Sequence, residues 1–157
     1  MAIENEAAQP APDQSHWSGL QISRQSYPAK LLCIDDNPRF LATFSAVLQS
    51  VGYSVVTADN PFKGLSIAMS MSFDLAILDY HMPHMNGGQL AREIRRTRPS
   101  LPILLFSAYE SVPMEDRKDV NEFVVKGENV ALVLQKVRSL IAEKEVCRAA
   151  PEPSGTT

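Results

Sequence analysis

Four short apolar runs, each breaking off at a residue able to carry chemistry, constrain this chain more than any other feature. Residues 29–34 run into Asp35 and Asp36, residues 73–78 into Asp79, residues 102–106 into Ser107, and residues 123–125 into Lys126. A further run, residues 53–58, leads to Asp59 and Asn60. Apolar runs of this length without polar alternation suit strands covered on both faces, as in a parallel sheet.

The intervening segments begin as helices do. Asn37 before Pro38, and Asp59 or Asn60 before Pro61, place a capping side chain ahead of a proline at the first helical position. Phe40, Leu41, Phe44, Val47, Leu48 and Val51 then recur at helical spacing until Gly52. Further helices are expected from Pro61 to about Met71, from Gly87 to Arg98, and from Asn129 to about Lys144. On the third of these, Leu90 and Ile94 face the core, and Arg92, Arg95, Arg96 and Arg98 read as a solvated basic face. Only residues 108–122 separate the fourth and fifth strands, so the fourth helix should be short or irregular.

Five strands alternating with helices predict an α/β fold, a doubly wound five-stranded parallel sheet with helices on both faces. Sites in such sheets lie beyond the carboxyl ends of the strands, where Asp35, Asp36, Asp79, Ser107 and Lys126 fall. The folded domain is placed at 29–144, within a chain of 157 residues. Residues 1–28 and 145–157 are too polar to offset the entropy of ordering and are read as disordered tails. Trp17 either docks on the domain or sits in an exposed linker.

Net charge is -3, which gives no electrostatic footprint for nucleic acid, and no stretch is apolar enough to span a membrane. The start of the chain has neither the basic nor the apolar region of a signal peptide. Cys33 lies in an apolar run and Cys147 in the polar end, a usage that fits a reducing cytoplasm.

Converging carboxylates repel one another unless a cation intervenes. Oxygen ligands, with no cysteine and no well-spaced histidine pair, favour Mg2+ over zinc. With that charge neutralised, one carboxylate can attack phosphorus and carry an acyl phosphate. Lys126 can offset charge on the phosphoryl oxygens, and Ser107 can donate a hydrogen bond to one of them.

Asp35-Asp36, residues 78–87, Ser107-Ala108 and residues 123–126, in that order after successive strands, resemble the receiver domain of two-component response regulators over roughly residues 29–144. The resemblance implies a flavodoxin-like strand order of 2-1-3-4-5, with Asp79 as phosphoacceptor from a histidine kinase or histidine phosphotransfer protein. It implies Mg2+ held by Asp36, Asp79 and the backbone carbonyl of His81, with Asp35 acting mainly through water. Ser107 and Phe123 take the switch positions, while His81 and Tyr109 occupy rim positions that tune acyl-phosphate lifetime. Gly127 stands where most receivers have a proline, leaving the turn after Lys126 open.

Singly, each residue has a plainer reading: a turn for Asp35-Asp36 and Ser107, a solvated lysine for Lys126, a packed or exposed loop for His81 and His84. Met82, Met85 and Phe106 read as core. Jointly they favour a stand-alone phosphoacceptor module that controls an unidentified output protein, not an enzyme beyond its own phosphorylation and dephosphorylation. One alternative is a Mg2+-dependent phosphohydrolase of the haloacid-dehalogenase kind, which would want an aspartate where this chain has His81. Another is a degenerate receiver that binds partners without phosphorylation.

Overall fold

The computed structural model describes residues 28–149, so Trp17 and most of the expected N-terminal tail lie outside the described residues. Five strands, β1 (Lys30–Ile34), β2 (Ser54–Ala58), β3 (Leu75–Asp79), β4 (Ile103–Ser107) and β5 (Glu122–Val125), form one sheet. They pair in parallel throughout, in the order β2-β1-β3-β4-β5. The helices are α1 (Pro38–Ser50), α2 (Pro61–Ser70), α3 (Gly87–Thr97), α4 (Met114–Arg117) and α5 (Val130–Ala149).

Side chains of the central strands alternate between two cores. Leu32, Ile34, Ala76, Leu78, Ile103 and Leu105 join Ala68, Leu90, Ala91 and Ile94 on the face covered by α2 and α3. Leu31, Cys33, Leu75, Ile77, Leu104, Phe106 and Val124 join Leu41, Phe44, Leu48, Val133, Val137 and Leu140 on the face covered by α1 and α5. Burial on both sides explains why β3 and β4 read as unbroken apolar runs. Each fully buried leucine or isoleucine contributes about 1.5–3 kcal/mol of transfer free energy.

Capping side chains start three helices at the sheet's carboxyl edge. The Asn37 side chain accepts from the N–H groups of Arg39 and Phe40, and that of Asn60 from Lys63. Asn86 and Gln89 form a reciprocal capping box at the start of α3. In contrast, α4 has four residues, none buried, and no side-chain cap.

Two expectations need correction. The helix expected to run out near Lys144 continues to Ala149, because Glu145, Val146, Cys147 and Arg148 extend it as an exposed turn although the apolar periodicity has ended. Nor are the arginines of α3 a solvated face. Arg95 donates to the carbonyls of Pro99, Leu101 and Asp119 and to Asn121 Oδ1. Arg98 donates to the carbonyls of Ala68 and Met69, and Arg92 faces Asp119 at 3.6 Å. Only Arg96, paired with Glu93, is exposed as expected. Guanidinium forks at these positions satisfy chain-end carbonyls that water would otherwise have to reach.

Candidate functional site

At the carboxyl edge of the sheet, β1 delivers Asp35 and Asp36, β3 ends on Asp79, β4 ends on Ser107, and the residue after β5 is Lys126. A carboxylate oxygen from each of Asp35, Asp36 and Asp79 lies within 4.8 Å of the other two. Asp35 and Asp79 are buried and Asp36 is exposed, so the cluster is open on one side. Asp35 is further fixed by accepting the Asn37 N–H at 2.8 Å, which places the start of α1 and the site in one local structure.

The Lys126 ammonium lies 2.6 Å from Asp35 Oδ2 and 2.8 Å from Asp79 Oδ1. One ammonium against three carboxylates leaves two negative charges uncompensated. Burial raises the Asp79 pKa above its ordinary value; the hydrogen bond from Lys126 opposes that rise, and the charges of Asp35 and Asp36 add to it. For Lys126, burial pulls the pKa down, but the hydrogen bonds and charges of Asp35 and Asp79 outweigh it and the net shift is upward. The lysine is therefore held as a cation. Cys33, behind Asp35, is pushed to about 12 by burial and then by that aspartate, so it is an inert core thiol.

Ser107 is fully buried, and its Oγ accepts the Tyr109 N–H at 3.0 Å. Its hydroxyl proton is left to donate elsewhere. Lys126 N–H donates to the Ser107 carbonyl at 2.6 Å, tying the two site residues through their backbones. The turn after Lys126, open in the sequence, is closed by Glu128 N–H to the Val125 carbonyl, with Gly127 at φ 105. That positive φ at the third position fits a type II turn and suits glycine. Among the described residues every peptide bond is trans.

Around the rim, the exposed His81 ring meets Tyr80 and Tyr109 edge-on at 4.7 and 4.9 Å. Neither His81 nor His84 belongs to a metal-capable cluster among the described residues. Met82 is buried with Met85 packed beside it, and Phe106 lies in the opposite core. Phe123 is half-buried, and the Arg117 guanidinium lies over its ring at 4.6 Å.

Sequence reasoning missed three contacts here. Tyr80, the residue after Asp79, donates to Asp116 Oδ2 of α4 at 2.8 Å, and Asn86 donates to the same oxygen at 3.2 Å. A side chain at Gly88 would collide with Asp116, so α4 sits directly on the start of α3. Phe40, read only as a core position of α1, lies under the Lys126 ammonium at 4.4 Å. Nothing in the local pattern marks partners 30, 36 or 86 residues away.

Residues 31–138 match the family described as the response regulator receiver domain. The chain is 41% identical over 86 residues to the Escherichia coli K12 transcriptional regulatory protein GlrR, covering 55% of this chain and 19% of that one. It is 30% identical over 115 residues to the transcriptional regulatory protein CusR of the same organism, covering 71% of this chain and 51% of the relative. It thus spans about half or less of these relatives. Among solved structures, the response regulator protein TrrA from Thermotoga maritima, in complex with Mg2+ and BeF, is 33% identical with a TM-score of 0.69 over 71% of this chain and 98% of its own. A CheY-like receiver domain protein from Methanospirillum hungatei shares the fold, with a TM-score of 0.71 at 23% identity over 76% of this chain and 98% of its own. The fold is flavodoxin-like and doubly wound. The chain belongs to the response regulator receiver domain family.

Proposed function

We propose that this chain is a phosphoacceptor signalling module of a two-component phosphorelay, with Asp79 taking the phosphoryl group. The observation that carries this reading is the convergence of Asp35, Asp36 and Asp79 with the single cation of Lys126. An ion-pair network built for stability would balance its charges; this one has an excess of two negatives, open to solvent at Asp36. A divalent cation with oxygen ligands fits that excess. Asp36, Asp79 and the His81 backbone carbonyl would hold Mg2+, with Asp35 acting through water. Bound there, Mg2+ supplies the positive charge that lets an anionic phosphodonor approach an anionic nucleophile.

In the transfer step, an Asp79 carboxylate oxygen forms a bond to phosphorus as the bond from phosphorus to the donor breaks. The electron pair leaves with the donor atom, which takes a proton. Lys126 neutralises charge on the phosphoryl oxygens, and the Ser107 hydroxyl donates a hydrogen bond to one of them. Movement of Ser107 toward the phosphoryl group makes room beneath β4, and Phe123 turns into it, leaving the Arg117 guanidinium. A local change of charge is thereby read out in packing.

The donor is a histidine kinase or phosphotransfer protein; a structure of TrrA with the histidine kinase ThkA, 32% identical to this chain over 71% of it, supports that partner class. Output passes to a partner protein, with no direct contact to nucleic acid. Among the described residues no helix is long and apolar enough to cross a membrane, and two unpaired cysteines fit a cytoplasmic setting. The reaction is confined to Asp79 itself, so the module is not an enzyme for a separate substrate. Thermal unfolding tests the reading. Mg2+ should raise Tm, and beryllofluoride with Mg2+ should raise it further, since ligands of the native state stabilise by about 2.7 kcal/mol at a hundredfold excess over Kd. Asp79→Asn should lose the beryllofluoride response. An equal response in Asp79→Asn would sink the assignment.

A further inference from the structure

We infer that Phe40 is a positioning residue for Lys126, holding the ammonium against the phosphorylation site through the face of its ring. The inference rests on the phosphoacceptor reading above. Lys126 Nζ stands 4.4 Å from the Phe40 ring centroid, well inside the range of a cation–π contact. Phe40 is itself oriented from behind: it stacks on Phe44 at 5.4 Å with an interplanar angle of 17° and meets Phe106 at 6.0 Å. Phe44 and Phe106 are buried and pack on each other at 5.2 Å. The aromatic trio thus joins the first turn of α1 to β4 and presents one half-buried ring to the ammonium.

Lys126 needs such a support. A lysine loses much rotamer freedom when its tip is fixed, and the backbone beyond it gives no lateral wall. The next residue is Gly127, and a side chain built there would meet nothing within 4 Å. The carboxylates of Asp35 and Asp79 hold the ammonium now, but both are the groups that a metal and a phosphoryl group engage. Their pull on Lys126 changes whenever the site is loaded. The attraction of an aromatic face does not depend on what the carboxylates bind, so Phe40 is the constant partner through the cycle.

The test compares Phe40→Leu, Phe40→Tyr and Leu48→Val in the full chain, using beryllofluoride with saturating Mg2+ as the probe. Ring current from Phe40 should move the ε-methylene protons of Lys126 upfield in the parent, and Phe40→Leu should abolish that shift. Phe40→Leu should also bind beryllofluoride roughly three- to tenfold more weakly, in keeping with the strength of a partly desolvated cation–π contact. Phe40→Tyr, which keeps the ring, should restore both readouts. Leu48→Val removes apolar packing from the same core two turns further along α1, away from the Phe40 ring and the ammonium, so it should lower Tm while leaving shift and affinity as in the parent. Unchanged affinity in Phe40→Leu, or an equal loss in Leu48→Val, would overturn the inference. Failure of the parent itself to bind beryllofluoride would instead remove the phosphoacceptor reading, and this inference with it.

Discussion

The crossovers that follow β3 and β4 perform the same topological task with opposite physics. After β3, Asp79 leads through a short loop into α3, which has a capping box, five buried residues and an arginine clamp at its end. After β4, Ser107 leads into residues that contain only the four-residue α4, uncapped and without a buried side chain. Met114 there is 81% exposed. What holds α4 is polar: the Asp116 carboxylate accepts from Tyr80 and Asn86. The difference separates two jobs. Asp79, the proposed phosphoacceptor, leads into the well-packed crossover, and the segment tied to that crossover by a few hydrogen bonds is the one that a change at Asp79 can release at little cost.

The largest expected effect is on the rigid side. Leu90 is fully buried in α3, so Leu90→Ala should cost about 2–5 kcal/mol in urea unfolding, whereas Met114→Ala should stay within about 0.5 kcal/mol. Comparable losses at both positions would erase the contrast. Next comes the tether: Tyr80→Phe removes one donor to Asp116 and should cost about 1 kcal/mol. Its sharper signature is local, with amide exchange accelerating across residues 114–117 while α3 stays protected. Uniform acceleration in both helices would show that α4 is not held through Tyr80.

A smaller effect is electrostatic. The folded-state pKa of Asp79 lies above its ordinary value of 3.8, so its contribution to stability is fully present below 3.8 and is lost as pH rises through the raised value. Metal-free Asp79→Asn should therefore be more stable than the parent at neutral pH, with the gap closing on acidification. A gap that widens on acidification would mean that Lys126 more than offsets the burial of the carboxylate.

How much of this was legible in the sequence follows the same division. Continuous apolar runs interrupted by Asp35, Asp79, Ser107 and Lys126 exposed the sheet and its rim, because burial on both faces leaves no other place for a polar residue than the strand end. The weakness of α4 was also legible, since the residues between Ser107 and β5 are too few for a full crossover helix. Hidden were the contacts that depend on two distant segments meeting. Arg95 looks like any surface arginine until the carbonyls of Leu101 and Asp119 come within reach. Phe40 fits a helical apolar stripe equally well whether it meets core or ammonium. The last turn of α5 was missed because apolar spacing marks the buried part of a helix, not its exposed end.

Mass spectrometry of the intact chain after exposure to phosphoramidate and Mg2+ tests the central claim most directly. The parent should gain the mass of one phosphate, through an adduct that is lost in base, and this gain should vanish when Mg2+ is chelated or when Asp79 is replaced by asparagine. Equal uptake in parent and Asp79→Asn, or uptake indifferent to Mg2+, would contradict the assignment of Asp79 as the phosphorylated residue of this site.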